Sequence, residues 1–352
     1  MADMHEKSDE PLACYIAQNV DDQVLTSSAS GGAFSAIALA VVRRGGVVFG
    51  AVYDDDLRIV HAARDTEKGI EGFRGSKYAQ SDMGGAFVQV EKRLRDGREV
   101  LFSGTPCQVA GLLSYLEARG CEKGLLENLF TVDFVCHGVG TPVALSSYVR
   151  EAREGGFDLA GMNMRSKHFG YRSGSMELVS TTGEKRWVST KADYFLNAFF
   201  SHIILRPSCH DCRFKTARHS SDLTLFDSWN AEGVLGIPYD NKGYTNVLVQ
   251  SEKGDRLLSL AADGLLVYEV SFGSIKPKGG GMMVNSCKPH QNREAFLSLL
   301  AQDGISVASK RHLPKPVLTG VKEAARRVFA ASGMLDNVTR FVRKVKRGRS
   351  GR

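Results

Sequence analysis

The sequence predicts an α/β fold in which helices flank a central mixed or parallel sheet, with a smaller α+β region that contains a cysteine pair. Alternating strand and helix patterns over the first 155 residues are typical of such a sheet. The predicted strands span 47–53, 100–103 and 129–135, and the predicted helices span 33–44, 88–95, 108–119 and 143–154. Glycines follow several of these helices, as expected of helix ends.

The pattern changes after Gly155. A β-hairpin is predicted from 174–179 and 186–189, followed by a helix over 192–201. Further along the chain, short strands are predicted over 222–225, 246–250 and 266–270, with a helix over 255–263. We therefore divide the chain into an α/β domain at 13–155, an α+β domain with the cysteine pair at 156–312 and a basic tail at 313–352.

The length of 352 residues allows one large domain or two ordinary ones. The first ten residues are polar and acidic, unlike a signal peptide, and the longest apolar stretch, 33–42, is too short to span a bilayer. These features predict a cytoplasmic protein. Thiols are kept reduced in that compartment, so the seven cysteines are expected to serve ligation or catalysis rather than disulfides.

Positive charge is concentrated in the tail. Residues 321–352 carry a net charge of +8 and residues 1–320 carry −1, so the high isoelectric point does not indicate nucleic-acid binding. In the tail, Val338, Phe341, Val342 and Val345 fall on one helical face between basic residues. This pattern predicts reversible, peripheral contact with the inner face of the membrane, and a solvated chain end is the equal alternative.

Four cysteines lie at turns and are candidates for one metal centre. Cys107 follows a Gly-Thr-Pro turn at the start of a predicted helix, where the helix dipole favours a thiolate. Cys136 ends an apolar run, and Cys209 and Cys212 form a C-x-x-C pair. Soft thiolate ligands select zinc or an iron–sulfur cluster, and the residues alone leave both open. For Cys107 and Cys136, burial as small apolar side chains is the alternative.

The neighbours of these cysteines carry less information. His137 follows Cys136 and is predicted to be a catalytic proton donor, while a hydrogen-bonded structural histidine is the alternative. Cys14, Cys121 and Cys287 lack a comparable pattern and are expected to be structural. Asp133, Asp222 and Asp227 lie in or next to short strands. Each could orient a ligand or a flavin hydroxyl, but a solvated turn carboxylate is the commoner case for such positions.

Two polar turns are candidates for binding a phosphate-containing cofactor. The first opens a predicted helix and offers hydroxyls and unobstructed backbone N–H groups, which suit an anion at a helix N-terminus; it contains Ser28, Ser30, Gly31 and Gly32. A tight helix start is the alternative, and it is the commoner role of a Gly-Gly pair. The second offers a cation, a hydroxyl, an amide and an aromatic ring, and it contains Arg74, Gly75, Ser76, Lys77, Tyr78 and Gln80. No G-x-G-x-x-G follows a strand, so a Rossmann-type nicotinamide site is not predicted.

The order and sequence of these segments resemble those of the coenzyme F-420 hydrogenase/dehydrogenase beta-subunit family. The resemblance extends over about residues 13–300 and is carried by residues 28–32, 75–81, 102–112, 132–139 and 206–215. Longer relatives begin with a cysteine-rich, ferredoxin-like module, whereas this chain has only Cys14 in that region. The chain is accordingly expected to be a bacterial member without that module, similar to those of polysaccharide-assembly gene sets.

This resemblance implies FAD and a [4Fe-4S] cluster. Residue by residue, Cys107, Cys136, Cys209 and Cys212 match the positions expected for the cluster, and the two polar turns match flavin-side motifs. Ser103, Gly104 and Thr105, which precede Cys107, are placed with the flavin-side residues. The domain at 13–155 is thereby expected to bind the flavin.

The sequence thus predicts a flavin- and iron–sulfur-dependent oxidoreductase that passes electrons between a [4Fe-4S] cluster, FAD and a soluble carrier or a glycan-pathway substrate. The expected partner is a redox protein or a soluble electron carrier, and the sequence does not choose between a deazaflavin and a glycan intermediate as substrate. The alternative is a non-enzymatic polysaccharide-assembly protein whose four cysteines hold a structural zinc ion.

Overall fold

A computed structural model describes residues 10–277 and 280–313, together with residue 325. Its strands are β1 (Ala13–Asn19), β2 (Val47–Tyr53), β3 (Ile59–Arg64), β4 (Val100–Ser103), β5 (Leu129–Phe134), β6 (Leu159–Ser166), β7 (Ser175–Ser180), β8 (Lys185–Ser189), β9 (Leu223–Asp227), β10 (Thr245–Val249) and β11 (Leu265–Glu269). The tail helix predicted from Val338 onward lies outside the described residues.

Helices connect most of these strands. They are α1 (Asp22–Ser27), α2 (Ala33–Arg43), α3 (Ala86–Arg95), α4 (Pro106–Ala118), α5 (Lys123–Leu126), α6 (Pro142–Glu154), α7 (Tyr194–Phe200), α8 (Ala231–Leu235), α9 (Glu252–Leu260), α10 (Phe272–Ile275), α11 (Gly281–Val284), α12 (Arg293–Asp303) and α13 (Ile305–His312). Within the described ranges, no helix is long and apolar enough to cross a membrane.

An eight-stranded mixed sheet confirms the predicted fold class. Its order is β11-β1-β10-β9-β5-β4-β2-β3. The four strands β9, β5, β4 and β2 are mutually parallel, while β3, β10 and β11 run antiparallel to their neighbours. Because β1 is antiparallel to β10, it runs in the same direction as the parallel strands. Five strands therefore end at one edge of the sheet, which we call the carboxyl edge.

Side chains that alternate along these strands are buried on opposite faces of the sheet. On one face, Leu101 of β4 packs in a core that includes Ile37 of α2 and Leu257 of α9. On the other face, Phe102 packs in a core that includes Leu94 of α3 and Leu112 of α4. Burial on both faces explains why the parallel strands are continuous apolar runs in the sequence.

The compact units of the chain differ from the contiguous domains predicted from the sequence. Unit 1 comprises the described residues up to Arg74, followed by Ala79–Pro142 and Leu205–Pro289, so it contains the cysteine pair together with the N-terminal strands. Unit 2 comprises Gly75–Tyr78, Val143–Ile204 and the described residues from His290 onward. The chain leaves unit 1 after Pro142 and re-enters it at Leu205, which a single boundary near residue 155 does not capture.

Unit 2 contains a three-stranded antiparallel sheet. Its order is β6-β7-β8, and the predicted hairpin is confirmed as β7 and β8. Strand β6 was not predicted, and its pairing with β7 is irregular at two points. Helices α12 and α13 pack against each other in this unit, and α13 also packs against α7.

Close packing of α9 on the sheet gives the first testable prediction. A Cβ atom on Gly254 would lie 2.0 Å from the carbonyl oxygen of Asp222, so Gly254→Ala forces backbone of β9 and α9 apart. We expect this variant to lower the free energy of unfolding by about 1–3 kcal/mol or more, as overpacking does. Urea denaturation monitored by circular dichroism measures the difference.

Gly124→Ala is the matched control, because Gly124 also lies in a helix and a Cβ atom there meets nothing within 4 Å. That change should be neutral or stabilising by up to about 1 kcal/mol, since alanine is the better helix former. Equal unfolding midpoints for the two variants would contradict the packing described for Gly254.

Candidate functional site

Two of the predicted ligand cysteines follow adjacent parallel strands at the carboxyl edge. Ser103 at the end of β4 pairs with Val132 in β5, so the segments that leave these two strands begin side by side. Cys107 lies in the first turn of α4 after Pro106, and Cys136 lies two residues after β5 ends. Crevices at the carboxyl ends of parallel strands are the usual ligand sites in such sheets.

The cysteine pair is brought to the same place by a bridge between the two segments that join unit 1 to residues 143–204. Gly140 pairs with Leu205 in an antiparallel bridge, and the Arg206 N–H donates to the Val139 carbonyl at 2.9 Å. Cys209 then ends a short 3-10 helix, Pro207–Cys209, and Cys212 follows it.

All four cysteines line one pocket of about 200 Å³, which we call the cysteine pocket. Burial raises the pKa of the Cys136 thiol to about 12, the Lys215 charge partly opposes this, and Cys209 and Cys107 raise it further. Burial also raises the pKa of Cys209, and Cys107 and Cys212 add to that effect. The thiols are therefore close enough to resist ionising together, and a bound metal centre would remove that penalty because its ligands are thiolates.

The spacing of the sulfur atoms tests the fit of a single metal ion. Within the described part of the chain, no three of these four cysteines have Sγ atoms that all lie within 4.8 Å of one another. A tetrahedral zinc ion with Zn–S bonds of about 2.3 Å holds its sulfur atoms only about 3.8 Å apart. The four sulfur atoms are therefore not all as close together as the ligands of a single zinc ion.

Helix α4 is fixed where Cys107 begins it. The Thr105 N–H donates to Gln108 Oε1 at 2.9 Å, and Gln108 Nε2 donates to Ser81 Oγ at 2.9 Å. Thr105 Oγ1 lies 3.1 Å from the Cys107 Sγ. These contacts tie Thr105, one of the predicted flavin-side residues, to the cysteine pocket within unit 1.

Two carboxylates that were expected from the sequence to be solvated are buried. Asp133 is fully buried, lies 2.9 Å from His219 Nδ1 and accepts a 2.7 Å hydrogen bond from Thr224 Oγ1. Asp222 accepts hydrogen bonds from the Thr131 N–H and hydroxyl. The expectation of solvated carboxylates is wrong at both positions, because side chains far away in sequence satisfy them. His219 also lines the cysteine pocket.

Cys287 is a neighbour of the pocket that sequence reasoning missed. Its thiol donates to the His137 carbonyl at 3.4 Å, and its Sγ lies 3.8 Å from His137 Nε2. His210 Nδ1, between the paired cysteines, donates to the Cys287 carbonyl at 2.8 Å. Burial raises the pKa of this thiol. No local pattern around Cys287 indicates these contacts.

His137 lies beside a methionine in the cysteine pocket. Its Nδ1 lies 2.8 Å from the Met282 sulfur, and the residue lines the cysteine pocket. These contacts are with unit 1 side chains near the cysteines, and the assignment of His137 as a catalytic proton donor stays a prediction.

The first of the two polar turns, residues 28–32, also lies at the carboxyl edge. Ser30 Oγ donates to the Tyr244 carbonyl at 2.6 Å, and the Gly31 N–H donates to Thr245 Oγ1 at 3.0 Å. A Cβ atom on Gly31 would lie 2.6 Å from the Ala17 carbonyl oxygen, so the close approach of strand β1 alone requires glycine there. Gly32 starts α2 with φ of +72°, which likewise favours glycine.

Polar groups nevertheless collect around this turn. No side chain caps the start of α2 among the described residues, which leaves its first N–H groups for another acceptor. Arg74 Nη1 donates to Ser27 Oγ at 3.3 Å, so unit 1 brings Arg74 beside the turn that contains Ser28. The Gln80 N–H donates to the Gly140 carbonyl at 2.9 Å, which places Gln80 near the bridge.

The remaining predicted flavin-side residues, Gly75–Tyr78, belong to unit 2. The Lys77 Nζ lies 3.4 Å from the Gly75 carbonyl oxygen, and burial of the ammonium group lowers the pKa of Lys77 to about 8. The Tyr78 ring stacks on Phe199 with ring centres 4.6 Å apart. A buried lysine is unusual, because desolvation of its charged ammonium group destabilises the folded state.

Unit 2 also holds a cavity of about 720 Å³. Its lining includes Trp187 and His168, whose rings stack with centres 4.0 Å apart. None of the predicted site residues lines this cavity.

Comparison with known proteins places the chain in a redox family. Residues 97–271 match a family described as the C-terminal part of the beta subunit of coenzyme F420 hydrogenase/dehydrogenase. No curated protein matches the chain. The family description indicates an oxidoreductase.

A solved structure has a similar fold. It is a chain of the F420-reducing [NiFe] hydrogenase complex from Methanosarcina barkeri, studied by xenon derivatization, with a TM-score of 0.51 and 19% identity over 86% of this chain and 91% of that one. At this identity the similarity shows the fold. Residues 97–271 therefore belong to the coenzyme F420 hydrogenase/dehydrogenase beta-subunit family.

Proposed function

We propose that the protein is an oxidoreductase that uses FAD and a [4Fe-4S] cluster and passes electrons between the cluster, the flavin and a soluble carrier or a glycan-pathway substrate. The observation that carries the proposal is the convergence of Cys107, Cys136, Cys209 and Cys212 on one pocket at the carboxyl edge. Thiolate sets of this kind hold zinc or iron–sulfur clusters.

The spacing of the four sulfur atoms favours the cluster over zinc. A cluster attaches each thiolate to a different iron atom and so separates its ligands more than a single ion does. The absence of any three Sγ atoms within 4.8 Å among the described cysteines supports this choice. The alternative of a non-enzymatic polysaccharide-assembly protein with a four-cysteine zinc site needs a tighter set of sulfur atoms.

The chain's own residues would hold and shield the two groups. Cys136 is half-buried in the pocket wall, and Lys215 donates to its carbonyl group. When bound, the cluster would supply single-electron transfer and the flavin would supply hydride or electron exchange. The protein would position both groups.

On the flavin side, the proposal assigns the phosphates to the turn at 28–32. Its support is the uncapped start of α2, the adjacent Arg74 guanidinium and the family resemblance. The two glycines give no independent support, because the fold itself requires them. Lys77 and Tyr78 are assigned to the flavin by the resemblance, with Ser103 and Gly104 beside the cysteine pocket.

The remaining parts of the proposal concern partners and location. The similar chain from Methanosarcina barkeri belongs to a hydrogenase complex, which supports a redox partner protein for this chain. Cytoplasmic location and peripheral membrane contact by the basic tail are proposals from sequence, because the tail lies outside the described residues.

The proposed cluster predicts that substitution of its four ligand cysteines lowers the iron content, whereas substitution of other cysteines does not. After anaerobic reconstitution, the wild type should hold about four iron and four sulfide per chain, and single Cys→Ser changes at 107, 136, 209 or 212 should each reduce this severalfold. Chemical iron and sulfide analysis with visible absorption spectra measures the loss. Cys14→Ser and Cys121→Ser are the controls and should retain iron.

Two results would contradict the cluster. One is equal iron content in all of these variants. The other is a colourless wild-type protein that binds one zinc ion per chain, which would favour the structural alternative.

The burial of Lys77 predicts that its replacement by a neutral residue changes stability and flavin binding in opposite directions. Lys77→Met removes a desolvated charge, so the cofactor-free variant should be more stable than the wild type at pH 7, by up to about 3 kcal/mol. The same variant should retain less FAD, measured by fluorescence of flavin released on denaturation. Lys68→Met, at an exposed position, should change neither quantity.

The stability difference has a defined pH dependence. The folded-state pKa of Lys77 is about 8, below its ordinary value of 10.5, so folding releases a proton between these pH values. Wild-type stability should therefore rise relative to Lys77→Met as the pH increases from about 8 to 10.5. A stability gap independent of pH, or a variant that is less stable at pH 7, would show that the lysine is not held as described.

A further inference from the structure

Lys215 lies in the cysteine pocket and is anchored on two sides. Its Nζ donates to the Cys136 carbonyl and, at 2.7 Å, to the Met282 carbonyl. These acceptors belong to separate segments, the end of β5 and helix α11. Two backbone acceptors from separate segments thus hold the ammonium group beside the thiols.

The other charged groups of the pocket are less able to act on the cysteines. Arg206, Arg213 and Asp211 line the pocket but are exposed, so solvent screens their charges. The Arg206 charge lowers the pKa of Cys209, against the larger effect of burial. Asp133 is buried, and its carboxylate is hydrogen-bonded to His219 and Thr224. Lys215 is half-buried, and its charge lowers the pKa values of both Cys136 and Cys287 against the effect of burial.

We propose that Lys215 sets the reduction potential of the redox centre held by the four cysteines. The inference rests on the proposed function, in that a centre capable of reduction occupies the pocket. One electron enters that centre from the reductant, and no bond forms or breaks. The reduced state is more negative by one charge, so a fixed positive charge beside it stabilises that state and raises the potential.

The experiment is a redox titration of the reconstituted full-length protein with dithionite, followed by electron paramagnetic resonance, with iron content measured on each sample. Lys215→Met and Lys215→Gln remove the charge, and the glutamine retains an amide donor. Each should lower the ratio of reduced to oxidised centre about tenfold at the wild-type midpoint. For a one-electron couple this is a midpoint about 59 mV lower.

Two charge controls accompany these variants. Lys215→Arg keeps the charge and should change the ratio less than about threefold. Arg213→Met removes an exposed charge from the same pocket and should likewise change it less than about threefold, because solvent screens that position.

The outcomes separate the inference from the proposed function. A wild-type protein that binds no iron would refute the proposed function itself. Neutral variants that hold wild-type iron with an unchanged midpoint would overturn only the role of Lys215. Loss of iron from both neutral variants, with iron kept in Lys215→Arg, would also overturn it, because the lysine would then be needed for assembly and not for the potential.

Discussion

The antiparallel bridge between Gly140 and Leu205 is the contact on which the cysteine pocket depends. Strands β5 and β9 are parallel neighbours, yet residues 143–204 between them belong to another unit. The bridge joins the end of the outgoing segment to the start of the returning one. Cys136 precedes Gly140 by four residues and Cys209 follows Leu205 by four, so one backbone pairing brings together thiols that are far apart in sequence.

The parts of the fold that the sequence predicts well are those buried on both faces. Strands β2 and β4 are nearly continuous apolar runs, and their bounds were predicted without error. Strands β1, β3 and β6 were missed for physical reasons. Strand β3 is an edge strand whose residues are mostly half-buried, and β6 contains Gly161 and Asn163 and pairs irregularly. Such strands are specified by their neighbours and not by their own pattern.

The candidate site divides in the same way. Cysteines at turns after buried strands could be selected from the sequence, because a strand end at the carboxyl edge is a local feature. The supporting groups could not be selected. His219 meets Asp133 across 86 positions and Cys287 meets His137 across 150 positions, and no periodicity encodes a contact of that range. Asp133 is buried because β5 lies between two other strands of the sheet, and the local sequence does not encode that position.

The structure changes which residues are informative about cofactor binding. Gly31 and Gly32 suggested a phosphate site, but the approach of β1 and a positive φ account for both. Lys77 and Cys136 are different, because burial moves the pKa of Lys77 down to about 8 and that of Cys136 up to about 12. Groups whose ionisation is opposed by their surroundings are the better indicators of a functional site. One such group lies in each compact unit, among the residues assigned to the flavin and to the metal centre.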